Sequence, residues 1–152
     1  MKLSVRNAND LELTKLIKLA VNFYAESLLE QNIIKDLQIS ISIQYNFKNG
    51  GVCLSIDNRT FKIEIAHLRK TSLMLKTLAH EMAHVKQYAK KELYETSDKT
   101  YWHGKIIDAK YWDQPWEIEA YGLEMSLFAK FLIKYNLFKQ LKERRNAWYM
   151  EC

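Results

Sequence analysis

The clearest periodic pattern in the chain is a strict alternation of apolar and polar residues between positions 37 and 47. The apolar positions are Leu37, Ile39, Ile41, Ile43, Tyr45 and Phe47. A period of two places successive side chains on opposite faces of a strand. One face is therefore apolar and the other polar, which is typical of a sheet that buries only one side.

Two shorter strands are predicted further along the chain. Asn49-Gly50-Gly51 supplies positions that tolerate positive φ and so favour a turn after the first strand. A second turn is predicted at residues 57–59. The strands after these turns carry Val52, Leu54 and Ile56, and then Phe61, Ile63 and Ile65. Because the turns are short, the pattern predicts an antiparallel meander of about three strands.

Helical spacing precedes the meander. Apolar residues recur every three or four positions up to about residue 31, which predicts an N-terminal helix. Asn9 and Glu12 can form a capping box at its start, where Asp10 adds a negative charge that favours the helix dipole.

Two more helical patterns follow the meander. The first covers about residues 71–93, with an apolar stripe at Leu75, Leu78, Met82, Val85 and Ala89. An irregular loop is predicted over about 94–114. The second helix then starts with Asp113 as N-cap and Pro115 in its first turn. Its predicted buried stripe is Ile118, Tyr121, Met125, Phe128 and Leu132. The whole pattern predicts an α+β fold: an N-terminal helix, the meander, a central helix and C-terminal helices.

Composition predicts a single globular domain over residues 1–152. Hydrophobic residues make up 48% and charged residues 27%, which excludes a disordered chain. Neither an apolar signal-peptide core nor an apolar stretch long enough to span a membrane is present in the sequence, so we expect a cytoplasmic location. Cys53 and Cys152 have neither disulfide-framework nor metal-site spacing.

The net charge of +5 raises the question of nucleic-acid binding. Part of this charge lies in a basic run near the C-terminus: Lys139, Lys142, Arg144 and Arg145. The run lacks any base-reading motif, and cations at a helix end also complement the helix dipole. A solvated helix end is therefore the favoured interpretation, and nucleic acid is not a favoured partner.

Residues 80–84 of the central helix read His-Glu-Met-Ala-His and match H-E-x-x-H. Because a helix turns once per 3.6 residues, His80 and His84 project from one face, one turn apart. Their imidazoles can aim at one point, and Glu81 lies beside them, placed to take a proton from water held there. Two structural histidines on an amphipathic helix are the alternative, but the glutamate directly after the first favours a metal site.

A catalytic zinc site takes three protein ligands and leaves one position for water, whereas a structural site takes four. Three downstream residues are candidates for the third ligand: Glu117, Glu119 and His103. The two acids fall on different faces of the second predicted helix, and either one is also explained as a helix-start charge. Spacing alone leaves the choice among the three open.

Segments 77–88 and 111–121 together resemble small zincin-like metallopeptidase domains, often seen in bacteriophage genomes. The resemblance covers roughly the second half of the chain. Glu117-Ile118-Glu119-Ala120 is similar to the E-x-x-A of the gluzincin branch, and this similarity ranks Glu117 above His103 and Glu119 as the third ligand. Tyr121 stands where many members carry an Asp or Asn that hydrogen-bonds a ligating histidine.

This resemblance implies a zinc-dependent peptidase, with Zn²⁺ held by His80, His84 and Glu117. Glu81 is then the general base that activates water to hydrolyse a peptide bond. The candidate donors to the developing oxyanion are Tyr111, Tyr121 and His103. The resemblance also implies that a sheet edge lines the cleft and binds an extended peptide, and we predict that edge to be strand 61–65.

Two other functions remain open at the level of sequence. His103-Gly104 is faintly similar to the third-ligand region of SprT-like proteases, which suggests a DNA-associated protease. The second open function is a non-catalytic zincin domain, which would retain its metal through a fourth protein ligand. Trp112 and Trp116 are expected to pack the loop onto the motif helix. Peptide or protein substrate is the expected partner, and no membrane partner is expected.

Overall fold

The computed structural model describes residues 1–8, 10–45, 47–67 and 70–141. The arrangement is α+β, with two runs of three strands separated by a helix. In chain order the elements are β1 (Lys2–Arg6), α1 (Leu11–Leu28), α2 (Gln31–Ile34), β2 (Gln38–Gln44), β3 (Gly51–Ser55), β4 (Thr60–Ala66), α3 (Thr71–Ala89), β5 (Leu93–Glu95), β6 (Thr100–Trp102), β7 (Lys105–Ile107), a 3₁₀ turn (Tyr111–Asp113) and α4 (Pro115–Lys134).

The main sheet is mixed, with strand order β1-β2-β4-β3. β2 pairs in parallel with β1 and with β4, and only β3 and β4 are antiparallel. The predicted antiparallel meander is therefore wrong, although its three strands exist. Alternation fixes which face of β2 is buried but not which strand lies beside it. β1 was not predicted: Lys2–Arg6 alternates polar and apolar residues, but its two apolar positions are too few to distinguish a strand from a loop.

One face of this sheet is buried and the other is polar, as the alternation predicted. The inward side chains Ile39, Ile41 and Ile43 of β2 are at most 2% exposed, while the residues between them are half-buried. α1 and α3 cover the apolar face. α1 begins after Asp10, whose side chain accepts a hydrogen bond from the backbone N–H of Glu12. The predicted capping residue Asn9 lies outside the described residues.

α3 is the central helix of the domain. Its predicted apolar stripe is confirmed, because Leu75, Leu78, Met82, Val85 and Ala89 are all buried. The helix packs against α1 on one side and α4 on the other. It ends at Ala89, four residues earlier than predicted, and Lys91 then takes a left-handed conformation that leads into β5.

α4 begins at Pro115 with Gln114 in the N-cap position, so Asp113 is not the predicted N-cap and instead ends the 3₁₀ turn. The predicted buried stripe is largely wrong: Ile118, Tyr121 and Met125 are 42–59% exposed. The buried positions are Trp116, Glu117, Ala120, Leu127, Phe131 and Leu132. Apolar residues occur on several sides of α4, so periodicity did not single out the face that packs on α3.

No helix in the described part of the chain is both long and apolar enough to cross a bilayer.

The segment predicted as an irregular loop contains a second sheet. β5, β6 and β7 form a three-stranded antiparallel sheet in that order. Each strand has three residues, too few for an alternating pattern to be distinguished from a loop.

Of the C-terminal basic run, Lys139 is exposed, and Lys142, Arg144 and Arg145 lie outside the described residues, as does Cys152. Cys53 is a half-buried free thiol on β3.

Candidate metal site

Two imidazoles converge on the side of α3 that faces α4. The Nε2 atoms of His80 and His84 lie 3.2 Å apart, and each residue is 8% exposed. The core stripe of α3 points toward the sheet and α1, so the helix presents its histidines away from the hydrophobic core. Helical geometry thus produces the convergence that the motif predicted.

α4 brings a carboxylate to the same point. Glu117 Oε2 lies 3.3 Å from His80 Nε2, and Glu117 Oε1 lies 3.4 Å from His84 Nε2. Zinc bonds of roughly 2.0–2.1 Å in a tetrahedral arrangement put neighbouring ligand atoms about 3.3 Å apart. The two Nε2 atoms have about this spacing, and each lies at a similar distance from a different oxygen of Glu117. One ligand atom from each of the three residues lies within 4.8 Å of the other two, which is close enough for the three side chains to hold one ion. In the part of the chain that the structure describes, these three residues are the group that could hold a metal ion.

The other two candidates for a third ligand lie elsewhere. Glu119 binds Lys86 Nζ at 2.8 Å and the Gln87 side-chain amide at 2.9 Å. Two residues along a helix correspond to a rotation of about 200°, so Glu119 cannot point where Glu117 points. His103 sits between β6 and β7 with a φ of 48°, its ring 4.5 Å from that of Trp102.

His84 is oriented by a residue that the sequence analysis missed. Its Nδ1 lies 2.8 Å from Gln87 Oε1, so this nitrogen carries the proton and Nε2 keeps its lone pair for a metal. Gln87 is fully buried, and its amide nitrogen donates to Trp116 O at 2.8 Å and to Glu119 Oε2 at 2.9 Å. The signal was present in the spacing, since Gln87 follows His84 by three positions on the same helical face.

His80 also has an acidic neighbour on α4. Its Nδ1 lies 3.3 Å from Glu124 Oε2, and Glu124 Oε1 pairs with Lys76 Nζ at 3.0 Å. The Tyr121 ring packs edge-on against the His80 ring with centroids 4.6 Å apart. Glu124, seven residues after Glu117, thus places a carboxylate beside His80, next to Tyr121, whose position carries an Asp or Asn in many proteins of the resembled family.

The protonation states of the metal-free cluster follow from burial and from the carboxylate. Burial lowers the pKa of both histidines, but at His80 the hydrogen bond to Glu117 and the charges of the nearby glutamates together outweigh it, and the pKa of His80 is raised. The pKa of His84 stays lowered because burial dominates there. Burial opposes ionisation of Glu117, yet the bond to His80 and the other neighbours hold its pKa below the usual range. Protonation is thus favoured at His80 and disfavoured at His84 and Glu117, so His84 and Glu117 readily keep their lone pairs for a cation.

Glu81 lies beside the cluster but does not belong to it. It is 4% exposed and faces the edge of β3, where it accepts a hydrogen bond from the backbone N–H of Cys53. Burial raises its pKa to about 7, and the nearby His80 offsets part of that effect. A carboxylate with a pKa near 7 is suited to take and return a proton at neutral pH.

A cavity of about 530 Å³ opens over the cluster and Glu81. Its other wall is the segment from Asn49 to Cys53, which includes the first residues of β3. The prediction that strand 61–65 forms the edge of the sheet beside the cleft is wrong. This strand is β4, which is paired on both sides, and the edge beside the cavity is β3. The Tyr111 hydroxyl lies in this cavity and donates to Glu117 Oε2 at 3.0 Å.

The two tryptophans near α4 behave differently. Trp116 is 8% exposed and its carbonyl is tied to α3 through Gln87, which agrees with the expected packing role. Trp112 is 72% exposed and stacks on the Tyr121 ring at 5.9 Å, so the same expectation is wrong for Trp112.

Comparison with known proteins adds no identification. No family model matches the chain. No curated protein and no solved structure matches it either. The function is therefore argued from the site itself.

Proposed function

We propose that the protein is a zinc-dependent peptidase of the zincin type. The observation that carries this proposal is the convergence of His80, His84 and Glu117, whose ligand atoms all lie within 4.8 Å of one another. Glu81 lines the same cavity, and the edge strand β3 forms its opposite wall. A three-ligand site beside a carboxylate in a cleft is the arrangement that catalytic zinc requires.

Each side chain has a distinct task in this scheme. Bound zinc would lower the pKa of water and polarise the scissile carbonyl. Glu81 takes the proton of the attacking water and later returns it to the leaving amine. Tyr111 is the candidate donor to the oxyanion, because it lines the cavity and its pKa, ordinarily 10.0, is raised further by desolvation and by hydrogen bonds, so its hydroxyl keeps a proton to donate. Gln87 holds His84 in the tautomer that ligates.

The alternatives draw less support from the site. His103, on which the SprT-like alternative rested, lies outside the cluster. A non-catalytic metal domain needs a fourth protein ligand, and the group found in the described residues has three. The open position over the cavity therefore favours chemistry over a purely structural metal.

Zinc content and cleavage of unfolded casein together test the proposal. The purified protein should contain one zinc per chain and cleave casein. Glu81→Gln should keep the zinc and lose cleavage, whereas His80→Ala should lose both. Glu64→Gln, on the polar face of the sheet, is the matched carboxylate control and should behave as wild type. Absence of zinc from the wild-type protein, or undiminished cleavage by Glu81→Gln, would reject the assignment.

A further inference from the structure

Two strand edges without a partner strand in the described part of the chain lie beside a pair of adjoining cavities. β3 ends the main sheet, and β5 ends the second sheet. A second cavity, of about 640 Å³, lies between residues 53–58 and the segment that carries β5. Cys53, Tyr88 and Leu93 line both this cavity and the one over the metal cluster. The two cavities therefore adjoin at these three residues, with residues of β3 and of β5 among their lining.

The ladder of β3 shows which of its backbone groups point away from its own sheet. Ala66 N–H donates to Gly50 O at 2.9 Å, and Ile56 N–H donates to Thr60 O at 2.9 Å. Hydrogen-bonded pairs alternate along an antiparallel ladder, so even-numbered residues of β3 bond to β4. The backbone groups of residues 51, 53 and 55 then point away from β4. Contact between the Cys53 N–H and Glu81 agrees with this assignment.

The same reasoning applies to β5. His103 N–H donates to Glu92 O at 2.7 Å, and Thr96 N–H donates to Lys99 O at 2.8 Å. Even-numbered residues of this segment therefore bond to β6, and the backbone groups of Leu93 and Glu95 point away from it. Both edges thus have backbone donors and acceptors that point away from their own sheets, although the Cys53 N–H is already bonded to Glu81.

Main-chain groups at these edges suit another main chain. An extended polypeptide presents N–H and C=O groups on both sides at the strand repeat, so it can pair with β3 through one set and with β5 through the other. Asp57 and Glu95 also line the second cavity, with Lys91 as the cation there. Outward carbonyls and two carboxylates disfavour a phosphate backbone in the second cavity.

We propose that the substrate enters as an extended polypeptide paired on both sides, with β3 along one edge and β5 along the other. The bound segment joins the two sheets into one. Its portion beside Cys53 lies next to Glu81, and the continuation fills the second cavity. This inference rests on the proposed peptidase function for the identity of the occupant, but the two-sided pairing is testable without catalysis.

Hydrogen–deuterium exchange at single-amide resolution tests the pairing. The probe is reduced, carboxymethylated lactalbumin, an unfolded chain, added in excess to the full-length Glu81→Gln variant so that it is not cleaved. Exchange at the Ser55, Leu93 and Glu95 amides should slow at least tenfold. Protection of Ser55 alone would overturn two-sided pairing while leaving the peptidase proposal intact, and protection of none would also overturn it. Zinc content and casein cleavage by the wild-type protein report separately on the peptidase proposal.

A pair of proline variants gives an independent readout. Proline removes a backbone N–H, and at an outward-facing edge position it breaks no ladder bond. Glu95 has this property on β5, and by the same alternation Ile106 has it on β7, at the opposite edge of the same sheet. Glu95→Pro should weaken probe binding about tenfold, and Ile106→Pro should leave it unchanged. Equal binding by the two variants would overturn the role of β5.

Discussion

A β-carbon added to Gly51 would lie 2.6 Å from Oε1 of Glu81. It would also lie 2.7 Å from Cγ2 of Thr77, so the edge of β3 and helix α3 touch at this point without room for a side chain. Gly51 is therefore required for close approach of the strand to the carboxylate. This contact fixes where the open edge passes the proposed general base.

Gly51→Ala should displace Glu81 and lower the rate of proteolysis. The Glu81 carboxylate is the far end of a flexible side chain, so it will move before the backbone does. A misplacement of about 1 Å at a catalytic group costs up to roughly 100-fold in rate. We expect casein cleavage to fall at least tenfold, with zinc content unchanged because the metal ligands are not contacted.

Gly50→Ala is the matched control for this substitution. Its added β-carbon would approach nothing closer than 3.9 Å, an ordinary contact with Thr77. It should cleave casein at the wild-type rate. If Gly51→Ala is equally active, Glu81 tolerates displacement and its role as base is in doubt.

The local part of the site was predictable from the sequence because helical geometry alone determines it. His80, Glu81 and His84 lie within one turn and a half of α3, so their relative positions need no tertiary information. The choice of Glu117 over Glu119 as third ligand does not follow from helical geometry alone. That choice depends on the rotation of α4 about its axis, which is set by packing against α3 and by the Gln87 bonds to Trp116 and Glu119.

The sheet shows the same limit. Alternation in β2 correctly predicted a buried and a polar face, because that property belongs to one strand. The neighbours of β2 depend on how the chain crosses between strands, and the local pattern is the same for a meander and for the parallel β2–β4 pair. The edge strand beside the site was therefore misassigned to 61–65, although β3 itself was predicted as a strand.

Replacing Gln87 should weaken metal binding without touching a ligand. Gln87→Leu keeps the buried volume but removes the acceptor 2.8 Å from His84 Nδ1. Loss of such a partner typically costs 10- to 100-fold in metal affinity. We expect a decrease of that size in zinc affinity, measured by competition with a chromophoric chelator. Glu119→Gln, which leaves the bond to His84 in place, is the control and should change affinity less than threefold.

The same competition assay distinguishes the three candidates for the third ligand. Glu117→Gln removes the charge that lies 3.3 Å from His80 Nε2 and should lower zinc affinity by at least 100-fold. His103→Asn should have no effect, because His103 is outside the cluster. A larger loss in His103→Asn than in Glu117→Gln would move the metal site to a different set of ligands.

Burial of Glu81 predicts a pH-dependent stability of the metal-free protein. The pKa of its carboxyl is about 7 in the fold, against an ordinary value of 4.5. The folded state therefore binds the proton more tightly than the unfolded chain. The stability linked to this proton is fully present below pH 4.5 and is lost as pH rises to about 7. A shift of this size corresponds to roughly 3 kcal/mol.

Urea unfolding in the presence of a chelator, at pH 5 and at pH 8, measures this effect. Glu81→Gln stays neutral throughout, so the other titrating groups serve as a shared background in the two proteins. Between pH 5 and pH 8 the wild-type free energy of unfolding should fall by about 2–3 kcal/mol more than that of the variant. If the free energies of unfolding of the two proteins change with pH in parallel, Glu81 is ionised and well solvated in the fold. That result would contradict the prediction that its carboxyl is buried beside β3 with a raised pKa.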